Sequence, residues 1–281
     1  MLRKYGLKLF VVISFIFVVC TSDSYAQQEG RPGLLVTPTR IVLEGRNRST
    51  SVSLANNGNA TAKYKVDLVE KRMNEDGSIV DVDKPMAGEL SAKDIIRISP
   101  RRFTMEPNGH QNIRILVRKP ENLPAGEYRS HLNIAIVPDE DPQEAKKQTG
   151  EESLSILIKA NFGVTIPVII RHGDLSASGK INNISMVKEE GKQYAVFSVL
   201  REGNKSLYGD INIKYTNTEG KEFILKSLGG IAVYAPNKKR DFKILLDIPE
   251  GVKIGKGKIE VSYKEKEKEG DKVIATMALS I

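Results

Sequence analysis

Few residues in this chain have the types and spacing that catalysis requires. The three histidines, His110, His131 and His172, have no cysteine, aspartate or glutamate partner at a metal-ligand spacing. No GxSxG elbow, P-loop or GxGxxG motif is present. His131 falls in a predicted strand, where a hydrogen-bonded structural role is favoured over a catalytic one. The residues therefore indicate a binding protein rather than an enzyme, with no metal site and no cofactor.

The binding chemistry that the sequence offers is an apolar strand face. In the segment 154–170, LSILIKANFGVTIPVII, the alternate positions from 156 to 166 are Ile, Ile, Ala, Phe, Val and Ile, whereas the opposite face carries Lys159, Asn161 and Thr165. As a strand, about 11 residues span roughly 33 Å. This segment is either a long strand that packs on its own core or a strand that is lent to another protein by β-strand addition. Alternation alone favours the first interpretation.

Short alternating segments separated by turn residues surround this strand. Val52 and Leu54 alternate with serines, and Asn57-Gly58 marks a turn after them. This period of two is typical of half-buried strands joined as hairpins. About seven such strands between residues 34 and 170 predict an immunoglobulin-like sandwich. The pattern restarts beyond Gly173, which predicts a second, smaller all-β domain and little helix.

The first 26 residues predict a cleavable signal peptide. Three basic residues precede the apolar run 9–20, and a small-residue cleavage site ends at Ala26. The apolar run is too short for a membrane helix. Cleavage removes three basic residues and one acidic residue, so the formal charge falls from +8 to +6, and it also removes the only cysteine. We therefore expect an exported protein without disulfides. Nucleic-acid binding is not expected, because no basic run is interleaved with aromatic residues.

Three segments resemble the periplasmic pilus-assembly chaperones of the PapD type. They read TPTRIVLEGRNRSTSVSLANNGN, ISPRRFTMEPNGHQNIRILVR and LPAGEYRSHLNIAI, and the long apolar strand follows them. The similarity covers most of residues 34–171 and is weaker over 173–281. It implies an all-β fold of two immunoglobulin-like β-sandwich domains, arranged in an L with an interdomain cleft. The predicted parts are a stub at 27–33, an N-terminal domain at 34–171 and a C-terminal domain at 172–281.

The resemblance also implies a function. Chaperones of this type hold secreted pilus or fimbrial subunits, which lack one strand of their own fold, until an outer-membrane usher assembles them. They act by donor-strand complementation and need neither ATP nor another cofactor. Pilin-like subunits and an usher are thus the expected partners, and the periplasm is the expected compartment. The alternative is a structural or adhesive immunoglobulin-like envelope protein whose long strand is simply core.

Cationic anchors are the first site residues that the resemblance implies. Arg40 matches the arginine with which the family grips the C-terminal carboxylate of a subunit. A guanidinium suits this role, because its planar fork of donors fits a carboxylate and stays charged when partly desolvated. The family's second anchor, a lysine, falls on Pro167, and proline has no backbone N–H and no charge. Lys159, Arg114 and Arg129 are candidates to replace it.

The resemblance also implies a client-binding face and an interdomain contact. In the same register, the donor-strand face consists of Ile156, Ile158, Ala160, Phe162 and Val164. Burying one large side chain of this kind contributes about 1.5–3 kcal/mol, so four of them are enough to hold an incomplete subunit. Arg171 matches the family's interdomain arginine and is expected to join the two domains through a carboxylate.

Overall fold

The computed structural model describes residues 30–137, 162–266 and 272–281. These residues form strands and the loops between them, without a helix. Accordingly, no described helix is long and apolar enough to cross a membrane. The prediction of an all-β chain with two immunoglobulin-like domains is confirmed, because the strands enclose two separate cores.

The N-terminal domain is a sandwich of two sheets. Its strands are β1 (Leu35–Thr37), β2 (Ile41–Leu43), β3 (Ser49–Ala55), β4 (Ala62–Val69), β5 (Lys71–Met73), β6 (Ile79–Asp81), β7 (Ile96–Ser99), β8 (Arg102–Met105), β9 (His110–Val117), β10 (Gly126–Val137) and β11 (Gly163–His172). One sheet has the order β1-β3-β9-β7 and the other the order β2-β11-β10-β4-β8. Val52 and Ile113 of the first sheet share a core with Val66 and Leu132 of the second.

The C-terminal domain is a second sandwich. Its strands are β12 (Ala177–Glu189), β13 (Lys192–Gly203), β14 (Leu207–Asn217), β15 (Glu222–Val233), β16 (Lys239–Leu245), β17 (Gly257–Glu265) and β18 (Val273–Ser280). The sheet β12-β13-β16 faces the sheet β15-β14-β17-β18 across a common core. Phe197 and Phe242 stack in this core with their ring centroids 5.0 Å apart, and Tyr215 and Val261 of the other sheet belong to the same cluster.

Period-two alternation explains why these segments become strands. In β9, Ile113, Ile115 and Val117 are buried, and the residues between them are more exposed. Successive side chains of a strand point to opposite faces, so this pattern buries one face and leaves the other to solvent. The preceding turn is equally local in origin. Asn108 has φ 59°, a left-handed conformation that asparagine tolerates better than most residues, and Gly109 N donates to Glu106 O at 2.9 Å.

The N-terminal domain has more strands than the alternation predicts. Eleven described segments replace the expected seven or so, because several are only three residues long, a length at which alternation carries no signal. The β5–β6 hairpin pairs only with itself and contributes two of these short strands.

The chain passes to the second sandwich at Gly173, after β11. Gly173 adopts φ 76°, a conformation that glycine reaches readily because it has no Cβ.

Strand β11 is paired along the whole of one margin and along only part of the other. β10 pairs with it antiparallel from Gly163 to His172, whereas β2 pairs with it in parallel only from Val168 to Ile170. Within the described part of the chain, the margin from Gly163 to Pro167 therefore has no strand partner on the β2 side. Ile166, Val168 and Ile170 are buried in the core of their own domain. The interpretation as a core strand is thus correct for the second half of β11.

Candidate functional site

The free margin of β11 exposes backbone groups of alternate residues. Ile136 N donates to Phe162 O at 3.0 Å, so the backbone of Phe162 faces β10. Residues of an antiparallel pair alternate between facing the partner and facing away. Gly163, Thr165 and Pro167 therefore direct their backbone groups to the free margin. Pro167 removes no hydrogen bond from the β10–β11 ladder, but it leaves the free margin without a donor at its own position.

Phe162 is the exposed member of the predicted donor-strand face. Its side chain is 69% exposed, whereas Ile166, Val168 and Ile170, at alternate positions of β11, are buried. Val164, by contrast, is partly buried and packs against the core of its own domain, so it does not belong to the exposed face. The other three predicted members, Ile156, Ile158 and Ala160, lie outside the described residues.

Arg40 lies beside the free margin. The parallel pairing of β2 with β11 begins at Ile41 opposite Val168. Arg40 and Pro167 immediately precede these two residues. The position beside Arg40 at which the resemblance implies a lysine is therefore occupied by a proline. The free margin and the predicted anchor thus meet at the same point of the sheet.

The guanidinium of Arg40 contacts the C-terminal domain through an aromatic ring. Its Cζ lies 4.0 Å from the centroid of the Tyr208 ring and 5.9 Å from that of Tyr234. A cation over a ring face at this distance is attracted by the ring quadrupole. Its Nη1 is buried and has no hydrogen-bond partner among the described residues. An unpartnered buried guanidinium donor is costly.

Arg40 lines a cleft of about 860 Å³ with walls from both domains. The N-terminal wall also includes Glu44, Asn47, Thr50 and Arg171, and the C-terminal wall consists of Ser206, Tyr208, Glu265 and Lys266. Such a volume accommodates the end of a peptide chain. The described residues contain no group of three or more histidine, cysteine, aspartate or glutamate side chains that is arranged to bind a metal ion.

Arg171 belongs to a polar network that joins the domains. Its Nε donates to the buried Glu127 at 3.1 Å, and its Nη1 donates to Glu44 at 3.0 Å. Glu127 also accepts from the backbone N of Ser206 at 3.2 Å and from the Ser206 hydroxyl. Burial opposes the charge of Arg171, but the attraction of Glu127 and the hydrogen bonds to both carboxylates outweigh it and raise its pKa.

An apolar cluster supports this network. Met73 and Ile169 of the N-terminal domain pack with Ala232 and Tyr234 of the C-terminal domain. Ile169 lies on the face of β11 opposite to the domain core. The same strand therefore contributes alternate residues to its own sandwich and to the interdomain contact.

None of the described cations proposed to replace the family lysine faces the cleft. Arg129 Nη1 donates to Ala235 O at 2.9 Å, and its Cζ lies 4.3 Å from the centroid of the Tyr234 ring. Burial lowers the pKa of Arg129, which already has these two partners. Arg114 is exposed on β9, in the other sheet. Lys159 lies outside the described residues.

His131 is buried on the face of β10 that carries Arg129. It is only 4% exposed, as expected for a structural histidine. Its Nδ1, however, has no hydrogen-bond partner in the described ranges, and this corrects the expectation of a hydrogen-bonded role. Burial, followed by repulsion from Arg129 and Lys71, lowers its pKa from 6.5 to about 4, against the attraction of Asp81. His131 is therefore neutral in the folded protein at neutral pH.

This lowered pKa predicts a loss of stability in mild acid. The unfolded chain binds a proton at pH values where the folded chain does not, so the stabilisation is complete above pH 6.5 and is lost as the pH falls towards 4. The loss is on the order of 3 kcal/mol at full protonation. Urea unfolding of the wild type and of His131→Gln at several pH values measures this loss of stability.

The His131→Gln variant should lose less stability between pH 6.5 and pH 4.5, whereas His110→Gln, at an exposed site, should behave as the wild type. Parallel pH profiles of wild type and His131→Gln would contradict the prediction.

Several residues of the site carry no recognisable signal in the sequence. Glu127 and Ser206 are 79 residues apart, and their contact exists only because the two domains meet. Tyr208 occurs in the SLYGDI segment, which contributes to the resemblance. Nothing in that segment predicts that the Tyr208 ring stacks under Arg40.

The fold and the cleft define a class of protein: two immunoglobulin-like β-sandwiches with a basic cleft between them. Within this class, residues 33–171 match the family model of the pili and flagellar-assembly chaperone, PapD N-terminal domain. This match confirms the resemblance of residues 34–171 to the chaperones of the PapD type. Comparison with curated protein sequences gives no match.

Solved structures of chaperones are similar to the chain at low sequence identity. The YadV chaperone is 14% identical, with 88% of this chain and 99% of that chain covered and a TM-score of 0.43. A chaperone–tip adhesin complex of CFA/I fimbriae biogenesis is 12% identical, with 88% and 98% covered and a TM-score of 0.45. The CupB2 chaperone of Pseudomonas aeruginosa is 13% identical, with 88% and 98% covered and a TM-score of 0.42.

Proposed function

We propose that the chain is a chaperone that captures pilus or fimbrial subunits by donor-strand complementation. The observation that carries this proposal is the free margin of β11 from Gly163 to Pro167, which lies between the exposed Phe162 and the cleft at Arg40. The match of residues 33–171 to the family model of the pili and flagellar-assembly chaperone, PapD N-terminal domain, supports it. The client is a subunit whose own sheet lacks one strand.

Backbone pairing supplies part of the affinity. The N–H and C=O groups of Gly163 and Thr165 that face away from β10 have no strand partner among the described residues, so they offer a template for a strand of the subunit, which is the usual chemistry of strand addition. Most soluble proteins protect such a margin with charge, a bulge or a covering loop, because it invites pairing with other chains. An unprotected margin is therefore what a strand-lending protein needs.

Side chains supply the rest. Phe162 and the residues before it, with Ile156, Ile158 and Ala160 at alternate positions, would fill the groove that the missing strand leaves in the subunit. Val164 is excluded from this set, because it packs on the core of its own domain. Arg40 would hold the C-terminal carboxylate of the subunit at the end of the free margin, and Arg171 would keep the two walls of the cleft together.

The compartment and the second partner follow from the same proposal. A cleavable signal peptide over residues 1–26 would deliver the protein to the periplasm, where secreted subunits emerge. An outer-membrane usher would then receive the complex. The exchange needs no nucleotide, because the subunit gains stability when it replaces the chaperone strand with one from a neighbouring subunit.

Co-purification from the periplasm tests this function. An affinity-tagged full-length chain would be produced in its native host, isolated from the periplasmic fraction and analysed by mass spectrometry. The expected result is a stoichiometric complex with a small secreted subunit whose sequence lacks the last strand of an immunoglobulin-like fold. If the chain is recovered without any such subunit while pili are being assembled, the alternative of a structural or adhesive envelope protein is supported instead.

A further inference from the structure

The predicted carboxylate anchor is incomplete within the N-terminal domain. Pro167 occupies the position beside Arg40 and contributes neither a charge nor a backbone donor. Arg171 lines the same cleft, but its Nε and Nη1 already donate to Glu127 and Glu44. A second cation for the carboxylate therefore has to come from another part of the cleft.

Lys266 of the C-terminal domain is next to the ring that supports Arg40. Glu265 pairs with Gly209 across β17 and β14, and the backbone N of Lys266 donates to Tyr208 O at 3.3 Å. Lys266 thus directly opposes Tyr208, and opposed residues carry their side chains on the same face of a sheet, about 5 Å apart. Since Arg40 lies over the Tyr208 ring at 4.0 Å, Lys266 is on the Arg40 side of the sheet.

The ammonium group of Lys266 is available to a ligand. Within residues 30–137, 162–266 and 272–281, its closest carboxylate oxygen belongs to Asp210, at 3.9 Å, which is longer than a hydrogen bond, and the Lys266 side chain is 59% exposed. Asp210 has another donor, because it accepts from the backbone N of Gly230 at 2.7 Å. An incoming carboxylate would therefore compete with only a weak ion pair.

The two acidic side chains that line the cleft do not cancel this charge. Glu44 accepts a hydrogen bond from Arg171, and Glu265 lies 3.9 Å from the ammonium of Lys205. Each of these carboxylates therefore has a cation within 4.0 Å. Among the described residues, Arg40 has no carboxylate within that distance, and Lys266 has only the 3.9 Å contact with Asp210.

We propose that Lys266 is the second anchor for the C-terminal carboxylate of the subunit, so that Arg40 and Lys266 hold it from opposite walls of the cleft. This inference rests on the proposed function. In this arrangement the subunit contacts both domains, whereas an anchor at position 167 would belong to the N-terminal domain alone. The free margin ends at Pro167, where the terminus leaves the strand and enters the cleft.

Binding of a peptide with and without its charge tests the role of Lys266. The probe is a synthetic peptide of the last strand of the co-purified subunit, made with a free C-terminal carboxylate or with a carboxamide. Lys266→Ala should weaken binding of the carboxylate peptide about fivefold, which is typical of a partly exposed ion pair, and should leave the carboxamide peptide unaffected. Lys264→Ala, two residues away on the same face but outside the cleft, is the matched control.

Further variants separate charge from packing. Lys266→Arg should retain most of the affinity, and Pro167→Lys in the Lys266→Ala background should restore it, because it places an ammonium beside Arg40. Equal affinity of Lys266→Ala and wild type for the carboxylate peptide would overturn the proposal, as would an equal loss for both peptides. If the wild type binds no subunit at all, the proposed chaperone function fails, and that result is distinct from either of these.

Discussion

Phe162→Glu is expected to abolish capture of a subunit while leaving the chaperone folded. The Phe162 side chain is 69% exposed, so the free protein loses little packing when it is replaced. In the complex, a buried phenylalanine contributes about 1.5–3 kcal/mol, and burying a carboxylate in its place costs several kcal/mol more. Together these effects lower the affinity at least 100-fold. Pull-down of the subunit and thermal unfolding of the free chaperone measure the two properties.

Ile224 provides the matched control for Phe162. It is 68% exposed, and it lies in the C-terminal domain on β15, away from the free margin of β11. Ile224→Glu introduces the same charge at the same exposure and should capture the subunit as the wild type does. If Phe162→Glu lowers the melting temperature by many degrees, or if it captures the subunit normally, Phe162 does not belong to the client-binding face.

The fold could be predicted because its signal is local. Alternation along β9 marks Ile113, Ile115 and Val117 as one buried face, whatever the rest of the chain does. The same applies to the turn at Asn108-Gly109. Such patterns need only neighbouring residues, and they were sufficient to predict two sandwiches without helix.

Pairing along the margins of a strand could not be predicted in this way. The apolar positions 162, 164 and 166 are equivalent in the sequence, yet Ile166 is buried, Val164 is half-buried and Phe162 is exposed. The difference arises from tertiary packing, which alternation does not report. Whether a margin is free depends likewise on how far β2 follows β11, and alternation reports side-chain faces, not backbone partners.

The sequence points to only part of the proposed anchor, for a related reason. The motif around Arg40 predicts the first cation, and the register shows Pro167 as the departure from the family pattern. Lys266 was not among the candidates, because its position beside Tyr208 depends on the pairing of β14 with β17 and on the packing of one domain against the other. The candidates that the sequence offers, Lys159, Arg114 and Arg129, all belong to the N-terminal part of the chain, whereas the cleft has walls from both domains.

Arg40→Ala is expected to weaken subunit binding about 10- to 100-fold, since a charge-assisted hydrogen bond contributes about 1.5–3 kcal/mol. The free protein should lose only about 1 kcal/mol of unfolding free energy, because Arg40 stacks on Tyr208. Titration of labelled subunit and urea unfolding measure the two losses. Arg40→Lys should be intermediate in binding, because an ammonium keeps the charge but lacks the planar fork of donors.

Arg114→Ala is the appropriate control for Arg40→Ala, because it removes one exposed arginine from the other sheet of the same domain. It should change neither affinity nor stability. Salt adds a second test, since screening should weaken the wild-type complex more than the Arg40→Ala complex if Arg40 pairs with a carboxylate. Equal affinity of Arg40→Ala and wild type would mean that the buried, unpartnered Nη1 serves the packing between the domains and that the subunit terminus is held elsewhere.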